Sequence, residues 1–141
     1  MRPHPYLRAY MAGIVVPTLV LLVFAAVYSV LRFYLGLPEA LRTGAPLERI
    51  IMFPMAVVPN LWGVWNLLHH ALGSRIRLPL GAHGALLPIL LLPAGVTLAR
   101  GLDVFDIPWG LAFSILPIAM AVYYLAWKYV VGFLNEELGI A

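Results

Sequence analysis

The residues best suited to chemistry are the histidines His4, His69, His70 and His83 and the asparagines Asn60 and Asn66, in a chain that is otherwise strongly apolar. Imidazole can ligate haem iron or another metal, and it can hydrogen-bond a quinone ring. His70 and His83 lie about 12 Å and about 8 Å from the centres of their segments, at about 1.5 Å per residue. These depths are similar, and a short loop makes the two segments antiparallel neighbours. His70 and His83 are therefore the candidate pair for one haem b or one quinone. His69 sits about 100° round the helix from His70 and is expected to face lipid headgroups or the following loop. The competing reading needs no ligand, because histidine at a helix C-terminus is favoured by the dipole alone. No metal site is expected.

The segment Pro59–His70 holds a second pattern. At about 100° per residue, Pro59, Asn60, Gly63, Asn66 and His70 share about a third of the helix circumference. With Trp62 and Trp65 beside it, this stripe is the candidate ligand-binding surface: Asn60, Trp62, Gly63, Trp65, Asn66 and His70. An asparagine deep in an apolar segment is costly unless it bonds to another helix or to a ligand. The bland account is interhelical glue, with Gly63 permitting close approach.

Other chemistries are poorly supported. The chain has no cysteine, which excludes disulfides, thiol catalysis, Cys-ligated zinc and iron–sulfur clusters. Ser29, Ser74 and Ser114 sit in no nucleophile motif. No Asp or Glu lies inside an apolar segment, which argues against a small proton-driven pump. The loop acids Glu39, Glu48, Asp103 and Asp106 could hold a divalent cation, but beside Arg42, Arg49 and Arg100 they form surface ion pairs more readily. The nine basic residues are spread over the loops, so nucleic-acid binding is not implied.

The elements that position these residues follow from where charge is missing. Of the 141 residues, 63% are hydrophobic and only 11% charged. Stretches free of Lys, Arg, Asp and Glu run for 23 residues after Arg8, 25 after Arg49, 22 after Arg77 and 21 after Asp106. About 20 helical residues cross the roughly 30 Å hydrocarbon core. Continuous runs such as Leu19–Phe24 lack the alternation of a barrel strand. The expected fold is an all-α integral membrane protein, a four-transmembrane-helix bundle with proline-kinked helices. It forms one domain over residues 1–141, with spans at about 10–35, 49–72, 80–99 and 107–134. Pro17, Pro54, Pro59, Pro88, Pro93 and Pro117 fall within these spans, most simply as bundle curvature. Asp106 is the expected cap of the fourth helix, with Pro108 in its first turn. Its residues Ala112, Ala119 and Ala126, with the pair Gly110 and Ser114, offer small-residue packing seams. Helices one and three share a faint Gly-x-x-x-Pro pattern, Gly13–Pro17 and Gly84–Pro88.

The first apolar run is too long for a signal peptide and has no clear cleavage motif behind it, so a retained helix is expected. Five Lys or Arg residues fall on the side of the termini and four on the other, which weakly favours cytoplasmic termini. The leading functional expectation is a non-enzymatic membrane protein that binds membrane lipid or a partner subunit, in some cases as a homo-oligomer. One alternative is a redox subunit using His70 and His83. Another is a small channel or carrier lined by Asn60 and Asn66. Four spans require opposite-side signals from reporter fusions at Ala141 and within Pro38–Pro46. Signals from one compartment at both sites would remove the four-span topology.

Overall fold

The computed structural model of the chain describes residues 4–35, 47–73, 77–101 and 108–140, and among these residues every regular element is helical. Helix α1 covers Pro5–Val30 and ends in a π-helical turn, Leu31–Leu35. Helices α2 and α3 cover Leu47–Leu72 and Leu80–Gly101. Helix α4, Trp109–Leu125, continues through a π-helical stretch, Ala126–Val131, into a last short helix, α5, Gly132–Glu137. Three of these are long and apolar enough to cross a membrane: Pro5–Val30, Leu80–Gly101 and the composite Trp109–Glu137.

Helix boundaries follow local chemistry. α1 begins at Pro5, whose ring pre-sets a helical φ, and the His4 carbonyl accepts from the N–H groups of Leu7 and Arg8. That start is five residues earlier than the apolar window alone indicates. α4 begins after Pro108, which takes the extended N-cap conformation, not a place in the first turn. The expected cap Asp106 and the acids Glu39 and Asp103 lie outside the described residues. α5 closes with Gly139 at a φ of 64°. The Gly139 N–H donates to the Glu136 carbonyl and the Ile140 N–H to that of Asn135, each at 2.9 Å. This is a Schellman motif, which needs a residue that tolerates the left-handed conformation. α1, α3 and α4 stay helical through Pro17, Pro88, Pro93 and Pro117.

Packing is organised by backbone proximity. α1 and α2 form one close pair, and α3 packs along α4. The first pair meets at Gly13 and Gly63. A Cβ on Gly13 would lie 2.5 Å from the Trp62 carbonyl oxygen and 2.9 Å from the Gly63 Cα. Ala9 and Ala12, on the same face of α1, are fully buried. In the second pair, Gly84 lies directly against the Trp127 side chain and Gly81 against Tyr124 and Lys128. The two Gly-x-x-x-Pro sequences thus do the same job twice: each glycine admits a neighbour, and each proline, Pro17 and Pro88, is buried beside it.

Between the pairs lies one apolar core of Trp62, Leu87, Leu91, Trp127 and Val131. The Trp62 and Trp127 rings are 5.4 Å apart. Trp127, Val131 and Asn135 recur every four residues and are all buried. In a pure α-helix that spacing drifts by about 40° per step. The π-helical stretch turns less per residue and offsets part of the drift, keeping all three on the inner face. Ala112 is buried, while Gly110 and Ser114 are exposed, so the latter pair is no seam within this bundle. Substituting Gly13→Val should lower stability by about 2 kcal/mol, because the added atoms meet backbone that cannot rotate away. Gly110→Ala, built into open space, should be tolerated. Unfolding titrations in detergent compare the two, and equal stability for both would disprove the close crossing.

Candidate binding site at the termini end of the bundle

Helix α2 can be read as a wheel centred on Asn66. At about 100° per residue, His70 and Gly63 lie about 40° and 60° to one side. Trp62, His69 and Trp65 lie about 40°, 60° and 100° to the other. The first side meets α1, through Gly63 on Gly13 and His70 on Tyr6, whose rings are 5.8 Å apart. The second side meets α3 and α4, through Trp62 on Trp127, Trp65 on His83 and His69 on His83. Asn66 points between them into the bundle and is 1% exposed.

Asn66 uses both of its amide hydrogens. Nδ2 donates to the Ala9 carbonyl at 2.7 Å and to Asn135 Oδ1 at 2.8 Å. Asn135 Nδ2 donates back to Asn66 Oδ1 at 3.2 Å. The result is a closed amide pair joining α1, α2 and α5, buried and mutually satisfied. Asn135 was not among the sequence candidates, because it lies beyond the apolar run of the fourth segment. No local pattern marks it, since its partner Asn66 lies 69 residues away. Arg8 is the second such residue: its Nη1 donates to the carbonyls of Leu138 at 2.5 Å and Gly139 at 3.3 Å. A cation at the C-terminal end of α5 also suits the helix dipole.

Beside the amide pair lies a cavity of about 360 Å³, whose polar lining is Asn66, His69, His70, Lys128, Asn135 and Glu136. Its apolar and small lining includes Ala9, Leu80 and Gly132. It opens at the end of the bundle where α1 and α3 begin and α2 and α5 end. The Lys128 ammonium rests over the Tyr129 ring at 5.1 Å and the Tyr124 ring at 5.9 Å.

The histidines do not pair as their depths indicate. His70 turns toward α1, and it is His69 that meets His83, with ring centroids 4.8 Å apart. The reason is the wheel: α3 lies on the His69 side of Asn66. His83 is 8% exposed and tied to Trp65 in both directions. Trp65 Nε1 donates to the His83 carbonyl at 2.9 Å, and His83 Nε2 lies 3.0 Å from the Trp65 carbonyl. A carbonyl only accepts, so Nε2 carries the proton and Nδ1 is the remaining lone pair. The His4 ring lies tilted against the Tyr6 ring, with centroids 5.1 Å apart. Among the described residues no three His, Cys, Asp or Glu side chains converge as a metal set.

Asn60 also departs from the stripe. It lies about 120° from Asn66 on the wheel, beyond the width of the buried face, and is exposed. Its Oδ1 accepts from the Tyr10 hydroxyl, and its Nδ2 donates to the Ala56 carbonyl at 2.5 Å. The stripe is therefore divided into Asn66 inside and Asn60 on the outer edge of the α1–α2 pair, and the two do not line a common path.

Paired amides predict a specific energetic pattern. Asn66→Leu should cost about 2 kcal/mol by stranding the Asn135 amide. In the double substitution Asn66→Leu/Asn135→Leu, the two effects should fall short of additivity by about 1 kcal/mol. Additive losses in a double-mutant cycle would mean the amides are not coupled. No protein-family model matches the chain, and no curated protein or solved structure shows a significant match to it.

Proposed function

We propose that the chain is a four-span, multi-pass membrane protein that acts without catalysis, holding the headgroup of a membrane lipid in the cavity at its termini end. α2 supplies the fourth span: it has 26 residues, the same length as α1, and no Lys, Arg, Asp or Glu after Arg49. Both termini lie on the cytoplasmic side, and the prolines serve bundle curvature. The observation that carries the reading is the cavity itself, polar inside and set at the end of an otherwise apolar bundle. At that depth a lipid headgroup is the abundant polar ligand.

The lining indicates which headgroup. Its residues include one Lys, Lys128, and one Glu, Glu136, together with histidines and asparagines. Charges of both signs complement a zwitterion better than an anion, since a net-negative headgroup would face the carboxylate uncompensated. Phosphoethanolamine fits: its phosphate accepts hydrogen bonds and its ammonium donates three. The redox reading has less support, because His70 and His83 do not converge and one nitrogen of His83 is committed to Trp65.

Native mass spectrometry of the full chain, released from micelles with mixed lipids, tests the proposal. Phosphatidylethanolamine should be retained several-fold over phosphatidylglycerol, and Glu136→Gln should erase the preference. Equal retention of the two lipids by the unaltered chain would refute it.

A further inference from the structure

Asn60 is the only exposed amide side chain among the described residues. It sits at the middle of α2, 11 residues after Arg49 and 15 before Arg75. Those intervals are about 16 Å and about 22 Å of helix, against about 15 Å for half of the hydrocarbon core. In the four-span placement proposed above, Asn60 therefore lies deep in the bilayer. Its short side chain does not reach the headgroups on either side.

An amide is a poor group to leave facing lipid. It carries two N–H donors and an oxygen with two lone pairs. Within the chain, one N–H of Asn60 donates to the Ala56 carbonyl, and one lone pair accepts from the Tyr10 hydroxyl. The second N–H and the second lone pair have no partner among the described residues. Ser114, which is also exposed, differs in this respect, because its only donor is spent on the Leu111 carbonyl. An unmet donor in hydrocarbon is costly, and such residues face protein or water instead.

The unused groups select the partner. They are one donor and one acceptor on a single planar amide, so a second copy turned through a two-fold axis complements them in full. An unlike helix would have to bring a matching group of its own to the same depth. Two copies exchange two N–H···O bonds, as Asn66 and Asn135 do inside the bundle. The surrounding surface admits a helix. Ala56, Asn60, Val64 and Leu68 form one i, i+4 ridge, and all four are exposed. Such ridges interdigitate in the commonest class of helix crossing. Ala56 and Val64, one turn to either side of the amide, are short enough for close approach. We propose that the chain forms a homodimer in the membrane, in which two α2 helices cross at Asn60 and the two amides pair on the two-fold axis. Both copies keep their termini on one side, so the axis runs along the bilayer normal. This inference rests on the proposed membrane placement of α2 and is independent of the headgroup cavity.

The test uses the full chain in phosphatidylcholine liposomes over a range of protein-to-lipid ratios. The chain has no cysteine, so Ala141→Cys gives one thiol for a donor or an acceptor dye. Energy transfer between copies should follow a monomer–dimer curve and saturate as lipid is reduced. Asn60→Leu should raise the dissociation constant about tenfold, the worth of two membrane hydrogen bonds. Val64→Trp keeps the amide but bulks the ridge, and it should raise the constant at least as much. It serves if loss of the Ala56 and Tyr10 bonds in Asn60→Leu impairs folding. Ile118→Trp, at an exposed position on α4, should leave the constant unchanged. Energy transfer no greater than random proximity gives, an unchanged constant in Asn60→Leu or Val64→Trp, or an equal loss in Ile118→Trp would each overturn the proposal. The reporter fusions at Ala141 and within Pro38–Pro46 read the membrane placement separately, and phosphatidylethanolamine retention reads the cavity.

Discussion

The rest of the bundle depends on how Asn66 divides its amide between two neighbours. One N–H reaches the backbone of α1 and the other reaches the side chain of Asn135, so a single planar group fixes three helices at once. In a membrane, helices gain little from hydrophobic contact with one another, and association relies on close packing and polar links. Asn66 supplies the link. The glycines Gly13, Gly63 and Gly84 supply the closeness, letting helices approach until backbone meets backbone or indole. Neither works alone. An amide reaches its partners only if the helices are near, and bare glycine surfaces do not choose a rotation about the helix axis.

Once Asn66 sets that rotation, the positions of the other polar residues follow. Trp65 and His69 must lie toward α3, and His70 and Gly63 toward α1. His83 then becomes a keystone between two side chains of α2 while returning a hydrogen bond to its backbone. The cavity is what remains where α1, α2 and α5 are held by polar bonds and cannot close around an apolar filling. An apolar groove lies beside the same core, with Trp62 between the residues of α1 and α4 that line it.

Much of this was legible in the residues. The absence of charge over long runs marks the helices, because a lone ion is intolerable in hydrocarbon whatever the fold. Asn66 and Gly63 declare themselves by type, being respectively costly and weak without a packing reason. Azimuth is harder to read. Asn60, Asn66 and His70 fall on one broad stripe, but a stripe a third of a turn wide spans two neighbours and an outer edge, and only the actual neighbours say which. The His70–His83 expectation matched depth and ignored direction, and a 100° step from His70 to His69 decides the contact. Asn135 and Arg8 were hidden for another reason. Their value lies in contacts with partners far away in sequence, which no local pattern encodes.

The bond from Arg8 to the Leu138 carbonyl, just past α5, joins residues 130 positions apart. In synthesis every intervening helix comes between Arg8 and Leu138. Until then α1 can pair with α2 through glycine contact but lacks both its clamp and the Asn135 arm of the amide pair. The assembled form therefore needs both sides of the bundle, and until Asn135 and Leu138 are made Asn66 and Arg8 lack their final partners.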